Sequence, residues 1–248
     1  MTRGGSSSEG TARQAVPIVA LDVHSADAAL TLARSLRGSC TFFKVGMELF
    51  TAAGPDIVRA LRGELGADVF LDLKFHDIPN TVAGAVRSAV GLGVRLLTVH
   101  ASGGSAMLEA AQAAAAEACG VLAVTALTSL DSSALAAAWG RTDAPSVERE
   151  VLRLAGTAAD ARLHGIVCSG AEAAAVRATY GDRLSILVPG IRLAGGEAHD
   201  QRRVMTPSAA QAAGARYLIL GRAVTAAADP AAAMARVIAE LGDAASPR

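Results

Sequence analysis

The sequence predicts a single-domain α/β protein, a (β/α)8 TIM barrel, and three observations carry that expectation. Eight short β-like runs alternate with longer, alanine-rich helical runs along most of the chain. Five of the β-like runs pass from apolar residues to a polar or charged end. The turn after the first run, Asp22-Val23-His24-Ser25, lacks the G-x-G-x-x-G that a dinucleotide-binding doubly wound sheet places there. Repeated β-then-α units with nearly continuous apolar strands indicate a parallel sheet covered by helices. Periodicity leaves the doubly wound sheet open as a rival; eight units in one domain favour closure.

The expected strands are Pro17–Asp22, Thr41–Val45, Val69–Lys74, Arg95–His100, Val121–Thr125, Gly165–Cys168, Ser185–Val188 and Arg216–Leu220. Helical patterns run over Ala28–Leu36, Asn80–Val90, Ser146–Ala159, Glu172–Ala178, Ser208–Ala213 and Pro230–Leu241. Ser25 and Asp27 suit the start of the first helix, because short polar side chains satisfy the free N–H groups there. Residues 1–14 are rich in Gly and Ser and lack an apolar run, so they read as a disordered tail and not a signal peptide. The barrel domain is expected over 15–243, followed by a short tail at 244–248.

Composition narrows the function classes. The 248 residues include 52% hydrophobic side chains, enough for a core without staples, and a barrel of this kind takes about 250 residues. Lys and Arg number 23 and so do Asp and Glu, so no net charge argues for nucleic acid or membrane as partner. Cys40, Cys119 and Cys168 are widely spaced, odd in number and without C-x-x-C, which reads as buried free thiols in a reducing cytoplasm. The histidines His24, His76, His100, His164 and His199 lack H-x-x-x-H or H-E-x-x-H spacing, so no metal site is expected. Trp139 is expected to pack a helix against the barrel.

Catalytic groups of such barrels project from the C-terminal strand ends. Asp22, Lys44, Asp72, Lys74, His100 and Thr125 all fall there. Any one of them could simply be a strand reaching water, but two lysines and two aspartates beside apolar strand residues form a set that solvation does not explain. Alternation along a strand points Asp72 and Lys74 the same way while Leu71 and Leu73 face the helices. A carboxylate and an ammonium at a barrel mouth need partners, and Lys44 on the neighbouring strand can extend them into an alternating array. Asp77 lies past the strand, where Pro79 can start a helix. A lysine between carboxylates stays protonated and can donate a proton.

With these residues in view, the chain resembles the orotidine 5′-phosphate decarboxylase family, in particular its bacterial branch. Asp72, Lys74 and Asp77 form the family's Asp-x-Lys-x-x-Asp signature. Leu21-Asp22, Lys44-Val45-Gly46-Met47-Glu48, Val99-His100-Ala101-Ser102-Gly103-Gly104, Thr125 to Ser129, Pro189-Gly190-Ile191-Arg192, Asp200 to Arg203 and Gly221-Arg222 follow in the family's order. The resemblance implies metal-free, cofactor-free conversion of orotidine 5′-phosphate to UMP and CO2, the last step of de novo UMP biosynthesis, by a cytoplasmic homodimer. It implies that Lys74 protonates C6, that Asp72 lies beside the substrate carboxylate, and that Lys44 and Asp77 hold the array. It further implies that Asp77, Ile78 and Thr81 reach into the partner's site, and that Asp22 and Lys44 meet the ribose. Ser129 would meet the pyrimidine, while Pro189, Arg192, Gln201, Gly221 and Arg222 would complete the substrate site toward the phosphate. Gly195-Gly196 would let the loop after the seventh strand close. Related sugar-phosphate decarboxylases that use Mg²⁺ share the signature but carry an acidic residue where Lys44 stands. Epimerase-type metal ligands have no match, and a non-catalytic nucleotide sensor would be expected to lack Asp72 or Lys74.

Overall fold

The computed structural model describes residues 14–193 and 205–243. The expected disorder of the N-terminal tail falls on residues 1–13, and the C-terminal tail on 244–248; both lie outside the described residues, as do Gln201 and Gly195-Gly196.

Eight parallel strands close in sequence order: β1 (Val16–Ala20), β2 (Phe42–Gly46), β3 (Asp68–Phe75), β4 (Leu96–His100), β5 (Gly120–Val124), β6 (Gly165–Val167), β7 (Ser185–Val188) and β8 (Tyr217–Leu220). Pairing of β1 with β8, through Val16 to Val19 against Tyr217 to Leu220, completes the ring and rules out the open sheet. The helices are α1 (Ala26–Ser35), α2 (Met47–Ala53), α3 (Asp56–Leu65), α4 (Pro79–Gly91), α5 (Ser105–Ala115), α6 (Ser132–Ala138), α7 (Val147–Asp160), α8 (Gly170–Tyr180), α9 (Pro207–Ala212), α10 (Arg222–Thr225) and α11 (Pro230–Asp243).

Local chemistry sets several of these boundaries. The hydroxyl of Ser25 accepts from Ala28 N at 3.3 Å and starts α1. Pro79 occupies the first turn of α4, where its missing N–H costs nothing. Asp131 caps α6 by accepting from Ala134 N. Helices α2 and α3 were not legible as separate elements, because Gly54 and Pro55 split one apolar pattern; Gly54 takes φ +63, which a helix cannot continue through.

Period-two alternation divides the buried side chains into two clusters. Ile18, Ala20, Phe42, Phe70, Leu96, Leu122, Leu187, Tyr217 and Ile219 fill the barrel interior. Their neighbours Val19, Phe43, Val69, Leu71, Leu97, Val121, Ile186 and Leu218 face the helices in the larger cluster. Burial of that two-layer core supplies the main driving force for the fold. All three cysteines are free and buried. Burial raises each thiol, and Cys119 reaches about 12. Trp139 differs from expectation: it ends α6 and is 37% exposed, lining a surface depression with Ser102, Ser105, Arg153 and Thr157. No helix among the described residues is long and apolar enough to cross a membrane.

Candidate active site

A cavity of about 470 Å³ opens at the C-terminal end of the barrel. Its inner wall is the top of the apolar interior, with Ala20, Phe70, Val124, Val167, Leu187 and Ile219. On one side stand Asp22, Lys44, Asp72 and Lys74; on the other stand Pro189, Gly190, Arg192, Gly221 and Arg222. A polar array thus faces an anion-friendly rim across an apolar floor, as suits an amphipathic ligand.

The charges alternate in space. Lys44 Nζ donates to Asp22 Oδ1 at 2.7 Å and stands 4.0 Å from Asp72 Oδ2. The other oxygen of that carboxylate, Oδ1, accepts from Lys74 Nζ at 2.8 Å. Lys44 and Asp72 have side chains only 11% and 15% exposed, so neither could remain charged there without the other. Register explains the meeting: Ala20 pairs with Lys44, and Lys44 pairs with Phe70, so inward side chains of β1, β2 and β3 come to the mouth side by side. Gly46 stands opposite Asp72, and a Cβ there would lie 2.9 Å from Lys44 Nζ.

Strict alternation does not describe the end of β3. The ladder shifts between Leu71 and Phe75, and Lys74 takes φ +52. A left-handed lysine costs about 1–3 kcal/mol and persists only where its surroundings impose it. The Asp72–Lys74 pairing expected from parity is present, but a bulge delivers it.

Asp77, Ile78 and Thr81 stand apart from this array. All three are exposed, Ile78 to 67%, and Asp77 Oδ1 accepts from the N–H of Ile78 at 2.7 Å. Within one chain, then, the Asp-x-Lys-x-x-Asp motif brings together only its first two members. Ser129 is exposed on the segment between β5 and α6, and the cavity is lined there by Ala126, Leu127 and Thr128. Arg192 is 9% exposed; its backbone N–H reaches Met205 O at 2.9 Å, and its Nε has no partner among the described residues. Gly221 leads directly into α10, which begins at Arg222.

His100 does not line the cavity; its ring lies 5.4 Å from that of His76. Burial, then the charges of His76 and Lys74, push its pKa below the ordinary histidine value. Among the described residues no group of three or more His, Cys, Asp or Glu is placed to hold a metal ion.

Thr98 escaped the sequence reading. It is fully buried on β4, donates to Asp72 Oδ1 at 3.0 Å and accepts from Lys74 N at 2.9 Å. The signal was its inward parity with Leu96, a polar residue continuing an apolar face.

Comparisons with known proteins agree with this geometry. Residues 16–237 match the sequence profile of the family described as "Orotidine 5'-phosphate decarboxylase / HUMPS family". The chain is 50% identical over 232 residues to an orotidine 5′-phosphate decarboxylase of Moorella thermoacetica, covering 90% of this chain and 91% of that one. It is 50% identical over 227 residues to the enzyme of that name from Halorhodospira halophila, covering 90% and 94%. The crystal structure of orotidine 5′-phosphate decarboxylase from Lactobacillus acidophilus superposes with a TM-score of 0.80 at 34% identity, over 92% of this chain and 99% of that one. Barrel closure, strand-end charges and extended identity converge, and the chain belongs to the orotidine 5′-phosphate decarboxylase / HUMPS family.

Proposed function

We infer that this protein decarboxylates orotidine 5′-phosphate to UMP and CO2, a carboxy-lyase reaction that completes de novo UMP synthesis. The observation that carries the reading is the Asp22–Lys44–Asp72–Lys74 array. An ammonium at position 44 puts positive charge where the Mg²⁺-dependent sugar-phosphate enzymes need a ligand, and the relatives of highest identity bear the decarboxylase name.

The chemistry follows from where the groups stand. Cleavage of the C6–carboxylate bond leaves its electron pair on C6 of the pyrimidine. Lys74 is the proton donor to that carbon, and its ammonium stabilises the charge as it develops. Asp72 lies beside the leaving carboxylate, while Lys44 tethers Asp72 on one side and Asp22 on the other. Asp22 and Lys44 also take the ribose hydroxyls. Pro189 and Ser129 border the pyrimidine. Arg192, Gln201, Gly221 and Arg222 hold the phosphate, where barrels of this class place it, after strands seven and eight. Phosphate held this far from C6 can stabilise the reacting state and not only the bound one.

The working unit is a homodimer of 15–243 barrels, in which Asp77, Ile78 and Thr81 complete the partner's site. The exposure of Ile78 and the distance of Asp77 from its own chain's array support that arrangement. Three free, buried thiols suit a reducing cytoplasm.

The deciding experiment incubates EDTA-treated protein with orotidine 5′-phosphate and follows UMP. Turnover without metal, lost in Lys74→Ala, is the expected result. A folded dimer that makes no UMP would overturn the reading, and sugar phosphates with added Mg²⁺ would then be tried.

A further inference from the structure

We propose that Thr98 is the positioning residue that makes the Asp72–Lys74 pair competent, and that its hydroxyl is the part that matters. The inference rests on the decarboxylase reading for its kinetic readout, and on the bulge geometry for everything else.

Leu71 pairs with Leu97 and Phe75 pairs with Val99. Between those two pairs, β3 therefore presents Asp72, Leu73 and Lys74 while β4 presents Thr98 alone. Three residues against one cannot continue a ladder, so backbone groups in the bulge need partners from elsewhere. Thr98 supplies them from its side chain. Its hydroxyl accepts from Lys74 N at 2.9 Å and spends its single hydrogen on Asp72 Oδ1 at 3.0 Å.

Each bond fixes something different. The bond from Lys74 N holds the residue at φ +52, the conformation that carries its Nζ to within 2.8 Å of Asp72. The bond to Oδ1 sets the rotation of the carboxylate, turning Oδ2 toward Lys44. One fully buried hydroxyl thus fixes both the backbone of the proton donor and the plane of the neighbouring acid. Valine in its place would keep shape and β-branching, but leave a half-buried N–H unpaired and one carboxylate lone pair unmet.

The test compares Thr98→Val with Thr98→Ser in the full-length protein. Loss of a hydrogen bond to a charged group predicts that Thr98→Val lowers kcat for orotidine 5′-phosphate by about 10- to 100-fold. KM should change little, because the residue touches no part of the cavity rim. Thr98→Ser, which restores the hydroxyl, should recover most of the loss, a rescue that a packing role would not give. Amide hydrogen exchange at Lys74 supplies a second readout independent of activity: protected in the native protein and in Thr98→Ser, and fast in Thr98→Val. Should Thr98→Val not fold, Thr98→Ala carries the same comparison. The proposal is overturned if the hydroxyl-free variant keeps kcat within twofold, if the serine is as impaired as the valine, or if Lys74 exchange is unchanged. A native protein that makes no UMP would instead defeat the decarboxylase reading, and the exchange measurement would still decide the role of Thr98.

Discussion

Lys44 and Asp22, which end neighbouring strands and lie 22 residues apart in sequence, meet at 2.7 Å, with the ammonium nearly buried and the carboxylate half in water. The contact depends on what is missing beneath it. Gly46 leaves open the space through which Lys44 reaches, since a Cβ at that position would stand 2.9 Å from Nζ and 3.4 Å from Asp22 Oδ1.

Gly46→Ala is therefore expected to impair catalysis more than stability. The backbone at Gly46 has φ −92, which alanine adopts freely, and the displaced atom is the end of a flexible side chain. A sub-ångström shift of Lys44 should lower kcat/KM by about 10- to 100-fold. Thermal melting close to native, together with steady-state kinetics, would bear this out; an unfolded protein or native kinetics would not.

Lys74 sets activity against strain. Removing the proton donor in Lys74→Ala should lower kcat by at least about 10²- to 10⁴-fold. Glycine accepts φ +52 at no steric cost, whereas alanine does not. Lys74→Gly should therefore be equally inactive, yet more stable than Lys74→Ala by about 1 kcal/mol in urea titration. Equal stabilities would show that the bulge relaxes once the lysine is gone.

Sharing of the site across a dimer can be tested by mixing. Lys74→Ala and Asp77→Ala proteins, each inactive alone, should regain activity after subunit exchange, because one site of the heterodimer then has both native residues. No recovery, with exchange verified by mass spectrometry, would place Asp77 outside the partner's site.

Glu150 predicts an acid-sensitive brace. Its carboxylate is held by Arg141 Nη1 at 2.6 Å and Arg153 Nε at 2.7 Å, tying the segment after α6 to α7. Burial alone would raise its pKa, but the hydrogen bonds from Arg153 and Arg141 outweigh that and hold it below the ordinary glutamate value of 4.5. A depressed folded pKa gives stability that is full above 4.5 and lost as pH falls through the folded value. Glu150→Gln should lower Tm by about 2–4 °C near neutral pH, allowing for the solvent around Arg153. The difference from native should shrink as pH drops below 4.5. A gap that stays constant with pH would assign the loss to packing.

The sequence by itself determined the repeated β-then-α order and the chemistry at the strand ends. Both follow from local rules: alternation fixes which side chains share a face, and Asp22, Lys44, Asp72 and Lys74 obey that parity. Closure of the ring was decided by pairing between Val16 and Tyr217, 201 positions apart, and no local pattern encodes such a contact. Tertiary structure also decided how Lys74 is presented. A left-handed backbone opposite Thr98 arises from a register shift between two strands, which is a property of the pair and of neither strand alone. The separation of Asp77 from its own motif has the same origin. Past the end of β3 the chain turns into α4, so side chains close in sequence leave the face on which Asp72 and Lys74 stand.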